Sequence, residues 1–209
     1  SKRKADGRLV DDTVQQELYQ QIKQPGGNFQ IPIEWGCVVP THAGHPDSNL
    51  VKNGARYIFH TVAVRYEPGA KQDQDKIKPI DDGNIGEAVT NCLKQVMEVD
   101  KNRGVISPTD TETYKLEKEA EDNYKPIKSI IFPMFATGHG KRQNDIGTIG
   151  RLMLESIVQF VAENHNNADF HLESIHLCAY SRQVVETLEA KFREMKNVLR
   201  PVRSGSSGN

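Results

Sequence analysis

Apolar residues recur with the period of an α-helix in four segments of the chain. Residues 11–23 carry Val14, Leu18 and Ile22 at four-residue intervals, which predicts an amphipathic helix ending before a Pro-Gly-Gly sequence. Further helices are predicted over 84–100, over 144–164 and after Ser181, whose hydroxyl can cap the last one. The side chains expected to face the core are Ile85, Val89, Cys92, Leu93, Val96 and Met97 in the second helix, Ile146, Ile149, Met153, Ile157, Phe160 and Val161 in the third, and Val184, Val185, Leu188, Phe192 and Met195 in the fourth.

Short runs of β-branched and aromatic residues lie between these helices and predict strands. The runs span 35–40, 55–65, 127–132 and 170–179. Because helices alternate with strands, the pattern predicts an α/β fold in which helices cover a sheet. Residues 101–126 are charged and poor in apolar side chains, so we expect an exposed excursion there, with a short helix over 113–122. We expect one domain over 1–200 and a flexible tail over 201–209.

Charge and composition exclude several classes of protein. The chain has 209 residues with 27 Lys+Arg against 28 Asp+Glu, a formal net charge of -1, which argues against a nonspecific nucleic-acid binder. No apolar run approaches the ~20 residues that span a bilayer, and the polar N-terminus lacks the apolar stretch of a signal peptide. Cys37, Cys92 and Cys178 lie far apart in apolar runs, so we expect reduced thiols that serve packing. These features favour a protein of the cytoplasm or nucleus.

A glycine-bearing loop follows the predicted strand at 127–132 and opens onto a long predicted helix. In an open α/β sheet, ligands gather beyond the carboxyl ends of the strands, and backbone N–H groups beside a helix N-terminus suit phosphate. The loop is not a P-loop, because Phe135 and Arg142 stand where glycine and Ser/Thr are needed, and Gln143 breaks the dinucleotide fingerprint. Two interpretations therefore stay open, a phosphate cradle or an ordinary glycine turn.

Other polar groups give weaker signals. His42 and His45, three residues apart with Cys37 nearby, have the residue types of a zinc site, but without a second close pair they are better interpreted as solvated loop histidines. His60 lies in an apolar strand and is expected to be a hydrogen-bonded core or edge histidine. No Ser/His/Asp or Cys/His nucleophile set can be assembled, and we predict neither a metal nor a cofactor.

Three segments resemble the macro domain family, whose members bind ADP-ribose. Residues 130–140 (IIFPMFATGHG) are similar to the family's second ligand loop, in which a strand ending in Phe-Pro runs into a Thr-Gly-x-Gly turn. Residues 55–62 (ARYIFHTV) resemble a strand that often reads Ile-Ile-His-Thr-Val in the family. Residues 7–14 (GRLVDDTV) resemble the first ligand loop, Gly-Gly-Gly-Val-Asp-Gly-Ala-Ile, more distantly. The order of loops, helices and strands agrees over most of the chain.

The resemblance implies a three-layer α/β/α fold, a mixed sheet with helices on both faces, and a pocket for ADP-ribose, a related adenine nucleotide or an ADP-ribosylated protein. The second loop would wrap the diphosphate and distal ribose while the first loop closes over it. Tyr180 would stack on adenine or pack near a ribose, the alternative being a tyrosine of the surface or core edge. The ligand-binding residues implied are Gly7, Leu9, Val10, Ala136, Thr137, Gly138, His139, Gly140 and Tyr180.

The first loop departs from the family pattern. Gly7 is retained, but Arg8 and Leu9 replace two glycines, which would narrow or reshape the ribose pocket. The given sequence has no counterpart of the strands that precede this loop in the family, so we expect either a fragment of a longer protein or an edge that is built differently. Asp11 matches a carboxylate that some ADP-ribosyl hydrolases of the family use, although a helix-start carboxylate is the preferred interpretation. The functions expected are, in order, an ADP-ribose-binding module, a mono-ADP-ribosyl hydrolase or ADP-ribose 1″-phosphate phosphatase, and a protein-interaction module with a degenerate pocket.

Overall fold

A computed structural model describes residues 2–3, 9–11, 13–22, 34–66, 77–106, 112–137 and 145–198. The strands are β1 (Lys2–Arg3), β2 (Leu9–Asp11), β3 (Val38–His42), β4 (Tyr57–Thr61), β5 (Val64–Tyr66), β6 (Ile77–Pro79), β7 (Ser129–Pro133) and β8 (Ser174–Cys178). The helices are α1 (Thr13–Ile22), α2 (Asn49–Lys52), α3 (Asp82–Lys101), α4 (Glu112–Ala120), α5 (Ile146–Asn164) and α6 (Arg182–Val198), with a 3₁₀ turn at Glu121–Asn123. The mixed α/β character predicted from the sequence is confirmed. None of the described helices is long and apolar enough to cross a membrane.

The strands form small sheets of both kinds. Three pairs are antiparallel, β1 with β2, β3 with β4, and β5 with β6. The pair β7–β8 is parallel, with Ser129 opposite Ser174 and Pro133 opposite Cys178. Because they are parallel, both strands end at the same edge.

The hydrophobic core lies between α3, α5 and β7. Ile85, Val89, Leu93 and Val96 form one buried stripe of α3, and this helix packs against α5. Asp81 caps α3 by accepting a hydrogen bond from the backbone N–H of Asn84 at 2.9 Å. The apolar stripe predicted for 84–100 is thus confirmed, and the helix extends to Asp82–Lys101.

Strand β7 alternates exposed and buried positions along its length. Ile130 and Phe132 point into the core, whereas Ile131 between them is 66% exposed. This is the two-residue period of a strand with one covered face. The covered face packs against residues of α3 and α5 in the core.

Several predicted element boundaries are wrong. The helix expected from residue 11 begins at Thr13, because Asp11 belongs to β2. The strand expected over 55–65 is two strands, β4 and β5, that pair with different partners. Those expected over 35–40 and 170–179 are Val38–His42 and Ser174–Cys178. Strand β6 (Ile77–Pro79) lies in a segment for which no strand was predicted.

Some burial predictions also fail. Cys92 is buried as expected, but Cys37 and Cys178 are exposed and do not serve packing. On α6, Val184 and Leu188 are buried, whereas Val185 and Phe192 are 41% and 49% exposed. Ser181 accepts a hydrogen bond from the backbone N–H of Val184 at 3.4 Å, which confirms the predicted cap.

The segment 112–127 is more firmly attached than its charged sequence suggests. It contains α4, near the predicted helix, and its Tyr124 hydroxyl donates to Asp100 Oδ1 at 2.6 Å. The Ile127 backbone N–H donates to the same oxygen at 2.9 Å, and His171 Nδ1 lies 3.1 Å from Oδ2. The Asp100 side chain is 1% exposed, so α3 holds both the start of β7 and the approach to β8 through one buried carboxylate.

Candidate functional site at the carboxyl end of β7 and β8

The predicted ligand loop follows β7 directly. Phe132 and Met134 are buried on either side of Pro133, and Phe135 packs edge-on against Phe132 with ring centroids 6.2 Å apart. Buried aromatic rings therefore fix the direction in which the chain leaves the strand. The described part of the loop ends at Thr137.

Ala136 turns the chain out of the strand. Its φ of 56° lies in the left-handed region, which residues other than glycine rarely adopt. The residue is 8% exposed, so packing around it holds this conformation. Such strained backbone is frequent where a loop is preorganised for a ligand.

Thr137 is used internally rather than presented to solvent. Its hydroxyl donates to the Met134 carbonyl at 3.0 Å, and the residue is 7% exposed. This hydrogen bond closes a tight turn over Met134 to Thr137. Thr137 thus shapes the loop, and its hydroxyl hydrogen is not presented to solvent.

Gly138, His139 and Gly140, the centre of the predicted cradle, lie outside the described residues. The chain is described again from Asp145, and α5 starts at Ile146. The structure therefore gives both ends of the loop, one at the carboxyl end of β7 and the other at the N-terminus of a 19-residue helix. The N-terminus of a helix carries a partial positive charge, which favours anions.

Tyr180 follows the neighbouring strand β8 after two residues. Its side chain is 76% exposed, which agrees with a surface tyrosine and also leaves its ring accessible to a planar ligand. Since β7 and β8 are parallel, Tyr180 and the loop after β7 follow the same edge of the sheet. The role of Tyr180 in stacking stays a prediction.

The first predicted loop is described only in part. Leu9, Val10 and Asp11 form β2, which pairs with β1, and their side chains lie outside the described part of the structure, as does Gly7. Asp11 ends β2 two residues before α1 begins, and its interpretation as a helix-start carboxylate stays a prediction. Its role in hydrolysis stays a prediction.

His42 and His45 both precede α2 and contact different acidic residues. The interpretation of His42 as a solvated loop histidine is wrong, because His42 ends strand β3. His42 contacts two glutamates far away in the sequence, Glu17 and Glu117, whereas His45 Nδ1 lies 3.6 Å from Asp47. Sequence reasoning missed both glutamates, because each belongs to a polar helix face that has no distinctive spacing. The only sequence signal was His42 itself.

His60 behaves as predicted. Its Nε2 lies 2.9 Å from the hydroxyl oxygen of the buried Thr41 on the paired strand. Burial lowers the pKa of His60, with the charge of Glu17 opposing this effect. It is a hydrogen-bonded histidine of the β3–β4 pair.

A cavity of about 290 Å³ lies away from the predicted loop. It is bordered by α1, β3 and the C-terminal end of α3, with Gln21, Pro40, Val99 and Ile106 among its lining residues. Gln21 Nε2 donates to the Ile106 carbonyl across this region.

Comparison with known proteins adds no identity to these observations. No protein-family model matches the chain, and no curated protein matches it.

Proposed function

We propose that this protein is a binding module for ADP-ribose or a nucleotide or protein modification that contains ADP-ribose. The observation that carries the proposal is the loop after β7. It leaves the carboxyl end of a parallel strand through a buried, left-handed residue and leads to a long helix. This is the position at which α/β folds bind phosphorylated ligands. The sequence between these two ends contains Gly138 and Gly140.

The diphosphate would be held chiefly by the main chain. Glycines allow the backbone to approach phosphoryl oxygens closely, and consecutive N–H groups beside a helix N-terminus bind anions. Lys141 and Arg142 follow the glycines and add local positive charge. The buried turn at Ala136 and Thr137 would limit the entropy lost when the loop binds.

Tyr180 would supply the aromatic contact. Its exposed ring stands two residues beyond the end of β8, beside the strand that carries the loop. Stacking of a base on an aromatic side chain contributes about 1–3 kcal/mol. As part of the same proposal, the described strand pairs and helices belong to a three-layer α/β/α fold with helices on both faces of one mixed sheet.

The test is a calorimetric titration of the chain with ADP-ribose, with ADP and ribose 5-phosphate as partial ligands. Tyr180→Ala is expected to weaken binding about tenfold, and Tyr180→Phe to retain it because the ring is kept. Gly138→Val is expected to abolish binding, since a β-branched side chain would block access to the backbone N–H groups.

Circular dichroism of each variant checks that the fold is intact. Absence of both heat and a thermal shift at millimolar ADP-ribose would refute the proposal. Undiminished binding by a folded Gly138→Val variant would also refute it, because the loop would then not be the binding element.

A further inference from the structure

One histidine and two glutamates from three separate elements meet on the side of the molecule formed by α1, β3 and α4. His42 ends β3, Glu17 lies in α1 and Glu117 in α4. His42 Nδ1 is 2.7 Å from Glu17 Oε1, and His42 Nε2 is 3.1 Å from Glu117 Oε1. Glu117 is 75 residues from His42 in the sequence, so the fold alone brings this group together.

The two carboxylates are removed from solvent and oriented by the main chain. The side chains of Glu17 and Glu117 are 12% and 8% exposed, against 34% for His42. The second oxygen of Glu17 accepts the backbone N–H of His42 at 3.0 Å, and that of Glu117 accepts the backbone N–H of Ile106 at 3.3 Å. Each carboxylate therefore has one oxygen fixed by the backbone and one directed at the imidazole. Backbone donors of this kind orient the ligands of metal sites.

The charges of the three side chains favour a divalent partner. Two ionised carboxylates carry two negative charges, and burying them is costly unless they are compensated. A protonated His42 compensates for one of these charges. A divalent cation bound together with a neutral imidazole compensates for both.

We propose that Glu17, His42 and Glu117 bind one divalent transition-metal ion. One ligand atom from each side chain lies within 4.8 Å of the others. The ion would bind one ring nitrogen of His42, so it would replace one of the two imidazole–carboxylate contacts, Nδ1 with Glu17 at 2.7 Å or Nε2 with Glu117 at 3.1 Å. Neighbouring ligands on one ion are about 3 Å apart when metal–ligand bonds are about 2.1 Å long, so ligand atoms that now lie up to 4.8 Å apart would move closer by up to about 1.8 Å when the ion binds. An imidazole with two carboxylates suits Zn²⁺, Fe²⁺, Co²⁺ or Mn²⁺ better than Mg²⁺, which prefers oxygen ligands.

The site would leave coordination positions for water or a ligand. His42 is the most exposed of the three residues, so the ion would be reached from its side. The cavity of about 290 Å³ lies next to the group, since Ile106, whose N–H binds Glu117, is among its lining residues. The ion would also tie α4 to α1 and β3.

The experiment is a calorimetric titration of the EDTA-treated chain with Zn²⁺, and with Co²⁺ followed by its visible absorption, which reports coordination. We expect one site per chain and release of protons, because the imidazolium must lose a proton when the metal binds. Glu17→Gln, His42→Gln and Glu117→Gln are each expected to weaken binding more than about 100-fold, beyond the about 10–100-fold that loss of a supporting partner costs.

The controls separate this site from its neighbours. His45→Gln removes a histidine that lies three residues after His42 and is paired with Asp47. Cys37→Ser removes an exposed thiol. Neither change is expected to alter the affinity. The proposal is overturned if the wild-type chain binds no Zn²⁺ or Co²⁺, if either control abolishes binding, or if Glu17→Gln or Glu117→Gln binds normally. Circular dichroism of the metal-free variants shows whether each has folded.

Discussion

Two glycines of α5 provide a sensitive test of how closely α5 and α6 approach each other. A Cβ atom added at Gly150 would lie 2.2 Å from Leu188 Cδ2, and 3.6 Å from Met134 Cε. A Cβ atom added at Gly147, in the same helix, would find Thr187 Cγ2 at 3.8 Å as its nearest neighbour. The same substitution, glycine to alanine, is therefore expected to have opposite effects at the two positions.

The magnitudes follow from these distances. In Gly150→Ala, the methyl group of the buried Leu188 must move about 1.2 Å away from the new Cβ atom to restore a contact of 3.4 Å. Overpacking of this kind costs about 1–3 kcal/mol. Gly147→Ala meets no obstacle, so the loss of backbone freedom in the unfolded chain should stabilise the protein by about 0.4–1 kcal/mol. For a chain of this size each kcal/mol shifts Tm by about 2–4 °C.

Urea unfolding followed by circular dichroism measures both changes as free energies of unfolding. The double variant Gly150→Ala with Leu188→Ala is the internal check, since removing the leucine methyl groups also removes the clash. We expect the double variant to be more stable than the sum of the single effects by at least about 1 kcal/mol. Equal stabilisation by Gly147→Ala and Gly150→Ala would refute the close approach of the two helices.

Two further predictions concern buried polar groups. Asp100→Ala is expected to destabilise the fold by about 3–5 kcal/mol, because the Ile127 N–H and the Tyr124 hydroxyl lose their acceptor. Tyr124→Phe removes only one of these hydrogen bonds and should cost about 1 kcal/mol. Urea unfolding measures both free-energy changes. Burial alone would lower the pKa of His42, but its hydrogen bond to Glu17 and the charges of Glu17 and Glu117 outweigh this and raise it. In EDTA the stabilisation from His42 should be full below the unfolded pKa of about 6.5 and be lost as pH rises through the higher folded value.

Each of these predictions has a direct control. Asp122→Asn changes an exposed carboxylate and should leave the free energy of unfolding unchanged; an equally small effect of Asp100→Ala would contradict the buried network. For the pH effect, His42→Gln should flatten the loss of stability with rising pH. A decline of the same size in that variant would mean that another group is responsible. The groups facing His42 are Glu17, Glu117 and the ring of Tyr57, whose centroid is 5.5 Å away.

The apolar pattern predicted the central elements because burial in them follows a strict period. Ile85, Val89 and Leu93 recur on one face of α3, and Ile149 and Met153 do so on α5. In such segments a single side chain rarely changes the outcome, since the whole stripe must be buried together. Strand β7 was equally clear from its run of apolar residues ending at a proline.

The polar contacts between distant elements could not be predicted. Asp100 looked like the end of a helix and Glu117 like part of a solvated one, yet both are fixed by hydrogen bonds to residues far along the chain. Such contacts depend on the tertiary fold and leave no period in the sequence. The prediction of a single strand over 55–65 failed for a related reason. Its two halves, β4 and β5, pair with different strands.

The sequence covers the whole candidate ligand loop, whereas the structure describes it only as far as Thr137. The glycines and the resemblance pointed to residues 136–140, and the structure adds the strained Ala136, the internal hydrogen bond of Thr137 and the exposed ring of Tyr180. The strain at Ala136 could not have been foreseen, since alanine carries no preference for a positive φ.

Arg56 limits how the chain can be shortened or labelled. Its guanidinium lies 5.6 Å from the ring centroid of Tyr57 and 5.5 Å from that of Tyr124, and it donates to the carbonyls of Lys125 and Pro126. Trimming the hydrophilic stretch before β7 to make a minimal version would strip this cation of its partners and leave Asp100 without two of its donors. Affinity tags, fluorophores and fusion partners are therefore better placed on the solvent face of α6 than between residues 121 and 127.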